Sequence, residues 1–383
     1  MNDDNLILWE SAGREPIAVR VAICGDFLPA GKLAVVRDES WSDQARGLRE
    51  YFADVATTFA NLEATLDCDT LAPRVLNGLG QVVAAPAASL AYMEAIHACG
   101  VGIANNHSYD FGDAGVQRTR AAVARAGMTP LGAGFSMREP QEVFVWEGPG
   151  GVRVGFWAAA KAASDLATEN SRGAEAATAA RGCHALREMQ RRGAQFCVAL
   201  VHAGCLRTNR PDPEDVCLLD ALAKSGFDVV AASHSHRASG YRMVAAAHER
   251  PNFSFYGLGS LVSGYVSCDA EREGLIVVAG LNARGALVQL EVRPVWLDES
   301  GFGSVPGAAA KREILEHFRA LSAEIDDGSY ERLFYHDVSQ GLTRLYLRDA
   351  RAAFRAGGIR GLARKARRVR VRHVKRLVHK VIG

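Results

Sequence analysis

Hydrophobic and polar positions recur along this chain in one order: a short apolar run, a polar or glycine-rich end, then a stretch with helical spacing. The first such run is VRVAICGDFL (19–28), rich in β-branched residues and closing on Gly25-Asp26, which reads as a buried strand delivering Asp26 at its C-terminal edge. DQARGLREYFADV (43–55) has helical spacing, and TTFANLEATL (57–66) reads as a strand running through Asn61 and Glu63. PAASLAYMEAIHACG (86–100) reads as a helix stopped by Gly100, VGIANNH (101–107) as a short strand with a polar end, and AGVQRTRAAVARAG (114–127) as a helix ended by glycine. MTPLGAG, VFVWE, VRVGFWAAA, FCVALVHAG, FDVVAASHSH and FSFYGLGSLV repeat the pattern. Such alternation predicts an α/β layered fold.

From about residue 310 the character changes. KREILEHFRALSAEI (311–325) and SQGLTRLYLRDARAAFRAGG (339–358) read as amphipathic helices, and a strongly basic stretch follows from 359 to 383. The expected organisation is therefore an α/β domain over 1–305 and a helical, basic C-terminal appendage over 306–383. The appendage is either a solvated helix folded back on the core or a surface for an acidic peptide, nucleic acid or an anionic membrane face.

Composition narrows the class. A chain of 383 residues with 48% hydrophobic and 23% charged content is ordinary for a globular protein, and a formal net charge of +2 does not call for a polyanionic partner. No nucleic acid is expected as a partner. The first sixteen residues start with acids and hold only a four-residue apolar run, unlike a secretory signal, and no apolar run approaches the roughly eighteen residues of a membrane span. Peripheral membrane contact is left to the basic stretch alone. Eight scattered cysteines without a CxxC pair, several inside apolar runs, read as reduced thiols, so a cytoplasmic location is expected.

An aspartate at one strand end is more often a helix cap than a ligand. The joint pattern says more: Asp26, Glu63, Asn105-Asn106-His107, His202 and His234-Ser235-His236 all stand at the ends of expected strands. This gathers oxygen and imidazole donors along one sheet edge, a set suited to a borderline or hard divalent metal. Oxygen-rich ligation favours calcium or manganese, and the three histidines leave zinc or iron open. GxxxxGK[ST] does not occur, neither GLGS (257–260) nor GAGF (132–135) is a dinucleotide fingerprint, and no lysine stands in a Schiff-base context, so no nucleotide and no pyridoxal phosphate are expected. The glycine-rich segments read as turns that let backbone approach the site.

Through GDF (25–27), NLE (61–63), ANNHSYDFGDAGVQRT (104–119), LGAG (131–134), VHAG (201–204), SHSH (233–236) and YGLGS (256–260), residues 19–265 resemble the CapA-like, capsule-synthesis branch of the calcineurin-like metallophosphoesterases. The resemblance implies a four-layer α/β/β/α sandwich. It also implies metal positions at or near Asp26, Glu63, Asn106, His202, His234 and His236, with His107 in an acid/base role beside Asp110. Two departures stand out. Phosphoesterases of this fold begin with Asp-x-His, where this chain has Asp26-Phe27-Leu28, and an acidic residue common after His-x-Gly is replaced by Cys205-Leu206.

A centre short of ligands is expected to hold one ion with spare histidines, an arrangement suited to proton transfer more than to two-metal hydrolysis. One group within the resembled family epimerises lasso peptides, inverting the Cα centre of the precursor's C-terminal residue. A precursor peptide is then the expected substrate, with His107 and Asp110 as one proton-transfer pair and Asp26 with His202 or His236 as the other. The competing expectations are a phosphoester or polyglutamate-related enzyme and a non-catalytic binding protein.

Overall fold

The computed structural model describes residues 5–341, apart from 14, 37–39, 75–81, 140, 164, 207 and 245–250. Beyond its first three residues, the helix expected over 339–358 lies outside the described residues, as does the basic stretch after it.

The strands of the first half are β1 (Leu6–Glu10), β2 (Val19–Leu28), β3 (Thr57–Leu62), β4 (Thr65–Leu66), β5 (Ala84–Ala85), β6 (Ala98–Gly102), β7 (Thr129–Leu131), β8 (Ala133–Phe135), β9 (Phe144–Glu147) and β10 (Arg153–Ala160). The second half adds β11 (Gly173–Ala174), β12 (Phe196–Ala203), β13 (Val229–His234), β14 (Tyr241–Val244), β15 (Asn252–Phe255), β16 (Ser260–Ser263), β17 (Glu273–Leu281), β18 (Leu287–Leu297) and β19 (Gly303–Ser304). The α-helices are α1 (Trp41–Gln44), α2 (Arg49–Phe52), α3 (Leu90–Ala95), α4 (Gly112–Arg125), α5 (Ala179–Arg191), α6 (Pro213–Lys224) and α7 (Ala308–Asp327). Helical backbone resumes over 330–341.

Two sheets face each other. One has nine strands with the path β1-β18-β17-β2-β3-β6-β7, and the other six in the order β14-β15-β13-β12-β10-β9. Val21, Ile23 and Phe59 of the first meet Phe156, Val198, Leu200 and Phe255 of the second in a buried inter-sheet core. The outer face of the larger sheet is covered by residues such as Trp41, Tyr92, Met93 and Val116 of the α1–α4 side. Ala185, Leu186, Leu219 and Leu222 of α5 and α6 cover the smaller sheet. The result is the α/β/β/α layering that the alternation and the resemblance implied. Helix α7 lays Ile314, Leu315 and Phe318 into the inter-sheet core, so this part of the C-terminal region is packed against the α/β layers.

Among the element boundaries that differ from the sequence expectation are three in the first half of the chain. The stretch 43–55 is broken into α1, a 3-10 turn over Ala45–Leu48, and α2, with Gly47 pressed against the carbonyl of Gly303. The helix expected to reach Gly100 stops at Ala95, because His97 takes a left-handed backbone (φ 60°) and Ala98–Gly102 pairs in parallel with β3. The strand expected over 57–66 ends at Leu62, and Thr65–Leu66 pairs instead with β5. This last break falls directly before Glu63, whose N–H still donates to the Phe27 carbonyl at 3.0 Å.

Candidate metal centre

Every donor of the centre leaves the C-terminal end of a parallel strand. The central strands β2, β3, β6 and β7 run parallel, as do β10, β12, β13 and β15, so both sheets open their carboxyl ends at the same edge. Asp26 reaches the edge through a change of neighbours: β17 accompanies β2 as far as Cys24, after which β16 takes over with Ser260 opposite Asp26. The switch needs Gly25, since a Cβ there would lie 2.0 Å from the carbonyl oxygen of Gly259, the same oxygen that accepts the Asp26 N–H at 3.0 Å. Here the GLGS turn brings backbone to the site, as expected.

Asp26 is fully buried. Its Oδ1 accepts from Asn61 Nδ2 at 2.7 Å, and its Oδ2 accepts from the His234 N–H at 3.0 Å and lies 3.1 Å from His236 Nδ1. Burial opposes its charge, but the hydrogen bonds and the His236 and His202 imidazoles outweigh it and hold the carboxyl below its usual range. Glu63 is equally buried and stands centrally: His202 Nε2 lies 3.5 Å and His107 Nε2 3.9 Å from its Oε1, and His236 Nδ1 lies 3.7 Å from its Oε2.

The histidines come from three strand ends. His202 ends β12, next to Ala203, and its Nδ1 receives Asn61 Nδ2 at 3.2 Å while its Nε2 faces Asn106 Oδ1 at 2.6 Å. His234 (φ 109°) and His236 (φ 55°) are both in left-handed backbone, a strain that splays the two imidazoles where a straight strand would align them. Their rings are 6.3 Å apart, and His234 sits 4.6 Å from His202. Burial, with repulsion from His202 and His236, pushes the His234 pKa well below the usual imidazole value. For His236 burial is overcome by Glu63 and Asp26, which raise it to about 9.

His107 stands slightly apart. Its Nδ1 donates to Asp110 Oδ2 at 2.7 Å, the carboxylate also accepting the Val83 N–H at 2.7 Å, so the pair is held in place and Nε2 turns towards Glu63. Asn105, not Asn106, caps this turn: its Oδ1 accepts the His107 N–H at 3.0 Å. All eight residues singled out from the sequence are thus brought to one edge. Asn61 and Ser233, which hold His202 (Ser233 Oγ at 3.3 Å from Nδ1), were not among them, although Asn61 opens the NLE motif. A side chain that orients a ligand leaves no spacing signal of its own.

The donors fit a divalent ion. Glu63, His202 and His234 bring ligand atoms within 4.8 Å of one another, and so do Asp26, Glu63 and His236. Two buried polar atoms, Glu63 Oε2 and His234 Nδ1, have no hydrogen-bond partner among the described residues, and both belong to these triads. The sequence pointed to one ion position; the geometry offers two, with Glu63 common to both. Among the described residues no helix is long and apolar enough to cross a membrane.

The family model described as Bacterial capsule synthesis protein PGA_cap matches residues 20–265. The chain is 24% identical over 235 residues to Capsule biosynthesis protein CapA of Bacillus anthracis, a match covering 59% of this chain and 54% of that protein, so the chain spans about half the length of that relative. Among solved structures, the NAD nucleotidase of Haemophilus influenzae aligns with a TM-score of 0.42 at 11% identity, over 79% of this chain and 62% of that one. A calcineurin-like phosphoesterase of Bacillus subtilis aligns with a TM-score of 0.42 at 11% identity, over 81% of this chain and 98% of that one.

Proposed function

We propose, from the premise that this chain belongs to the bacterial capsule synthesis protein PGA_cap family, that it is a metal-dependent acid/base enzyme, and that its reaction is epimerisation at the Cα of a residue, the C-terminal one, in a ribosomally made lasso-type precursor peptide. The observation that carries the reading is the pair of histidines on either side of Glu63, each backed by an aspartate: His107 with Asp110 at 2.7 Å, and His236 with Asp26 at 3.1 Å.

In this reading Glu63, His202 and His234 hold the ion, with Asn106 beside them. A divalent cation there supplies positive charge that offsets charge developing on the substrate's carboxylate and carbonyl oxygens as the α-proton leaves. His107 accepts that proton at Nε2, since Asp110 fixes its other nitrogen as the donor. His236, held through Nδ1 by Asp26 at 3.1 Å, returns a proton on the opposite face. Inversion follows because loss and return occur on different faces.

The test is incubation of candidate precursor peptides with the enzyme and manganese in deuterated water. One Cα position should acquire deuterium, and His107→Gln and His236→Gln should each block a different direction of exchange. No exchange with any precursor sinks the reading.

A second reading, hydrolysis of a phosphoester or a polyglutamate-related substrate, is favoured by one observation: the Asp26, Glu63 and His236 triad shares Glu63 with the first, as a bridging carboxylate between two ions would. Two bound ions per chain, with turnover of an aryl phosphodiester that Asp26→Ala abolishes, would establish it.

A further inference from the structure

Arg237 follows His236 directly, and its backbone is pinned. Ser235 Oγ accepts its N–H at 3.4 Å and donates to its carbonyl at 3.1 Å, while Gly257 packs so closely that a Cβ there would lie 2.9 Å from that carbonyl. The side chain is held far less well, although it is only 17% exposed. Among the described residues, Nε is buried without a hydrogen-bond partner, and Nη2 has a 3.5 Å contact to Cys268 Sγ and a 3.6 Å approach to Glu271 Oε1.

The other part-buried arginines set the contrast. Arg210 donates three bonds of 2.6–2.8 Å to Glu324 and Asp337, and Arg293 forks between Asp54 and Glu291. Glu271 divides its carboxylate: Oε2 accepts from both the N–H and the hydroxyl of Ser267 at 2.8 Å, and Oε1 faces Arg237 Nη2 at 3.6 Å. A guanidinium offers five N–H donors in a planar fork. Among the described residues Nε is the donor of this fork that is buried without a partner, and leaving it unmet away from water is costly unless a ligand supplies the acceptor.

We infer that Arg237 anchors a carboxylate of the substrate beside the metal centre, an inference that rests on the acid/base reading above and names the group by which the substrate is held. The fork matches two coplanar oxygens in a bidentate pair. A substrate carboxylate gripped at Arg237 would be held by the residue that follows the proton-transfer histidine in the chain.

The experiment uses the full chain loaded with Mn2+ and three probes: N-acetyl-trialanine with a free carboxylate, its C-terminal amide, and inorganic phosphate. Calorimetry should show the carboxylate bound at least tenfold more tightly than the amide and more tightly than phosphate. Arg237→Gln should lose that tenfold preference without weakening Mn2+ affinity, and Arg237→Lys should recover part of it, since charge returns without the fork. Unchanged carboxylate preference in Arg237→Gln overturns the proposal, as does a parallel loss of Mn2+ binding, which would mark a structural role. Arg237-dependent binding of phosphate in preference to carboxylate also overturns it. Arg237-dependent carboxylate binding with no Cα exchange on any precursor leaves the anchor standing and removes the epimerase reading.

Discussion

Raising the pH of the metal-free protein from about 6.5 to about 9 should lower its stability, and His236 is the reason. In the folded protein its imidazole is held by Asp26 at 3.1 Å and Glu63 at 3.7 Å, which raise its pKa from 6.5 to about 9. A group whose pKa is raised by folding stabilises the fold fully below its unfolded value, and that contribution fades as pH climbs through the folded value. The interval corresponds to at most about 3 kcal/mol, at about 1.4 kcal/mol for each tenfold change in proton concentration. His234 works in the opposite sense: its lowered pKa removes stability as pH falls below about 6.5, the ordinary imidazole value, and leaves the alkaline window untouched. Asp26, lowered by its partners, is ionised throughout and adds no slope there. Urea unfolding in chelator at half-unit steps should therefore show a maximum near pH 6.5 and a decline towards pH 9, and His236→Gln should lessen the decline, the remainder coming from His317, raised by Glu273, and from Cys24, Cys99 and Cys197, raised by burial. A stability that is level or rising over that window in the wild type, or an undiminished decline in His236→Gln, would refute the reasoning.

Three further outcomes follow from the same geometry. Because Glu63 belongs to both triads, Glu63→Gln should abolish stabilisation by Mn2+ that in the wild type reaches about 2.7 kcal/mol at a hundredfold excess over Kd, as read by thermal shift, whereas His234→Ala should spare the triad with His236. Gly25→Ala should cost about 2–3 kcal/mol in urea unfolding and weaken metal uptake, since the new Cβ would displace Gly259 from Asp26. Phe318→Ala should cost about 3–5 kcal/mol, because α7 buries this ring between the sheets and stacks it on Tyr241 at 5.3 Å. Unfolding at wild-type denaturant concentration would show that α7 does not belong to the core.

Local pattern determined a great deal here. Apolar runs with polar ends located the strands because a strand buried on both faces must be apolar throughout and can show chemistry only where it stops. That is why Asp26, His202 and His234 were legible, and why the layered α/β class followed. The ANNHSYD segment marked His107 and Asp110 through a turn whose residues are close in sequence, and their 2.7 Å contact needs little beyond that turn.

What the sequence could not determine was how the five strand ends meet. The parallel order of two separate sheets brings Asp26 within 3.1 Å of His236, 210 positions away in the chain, and no periodicity encodes a distance of that kind. Missing ligand positions at Phe27-Leu28 and Cys205 pointed to a single ion, yet the left-handed backbone at His234 and His236 separates the two imidazoles and builds a second triad on Glu63. Asn61 acquired its place between Asp26 and His202 only through tertiary packing, and the buried, unpartnered Nε of Arg237 is visible only in the folded chain. Residue identity at a strand end sets which chemistry is available; the packing of sheets decides which groups share it, because donor sets and electric fields depend on distances through space and not along the chain.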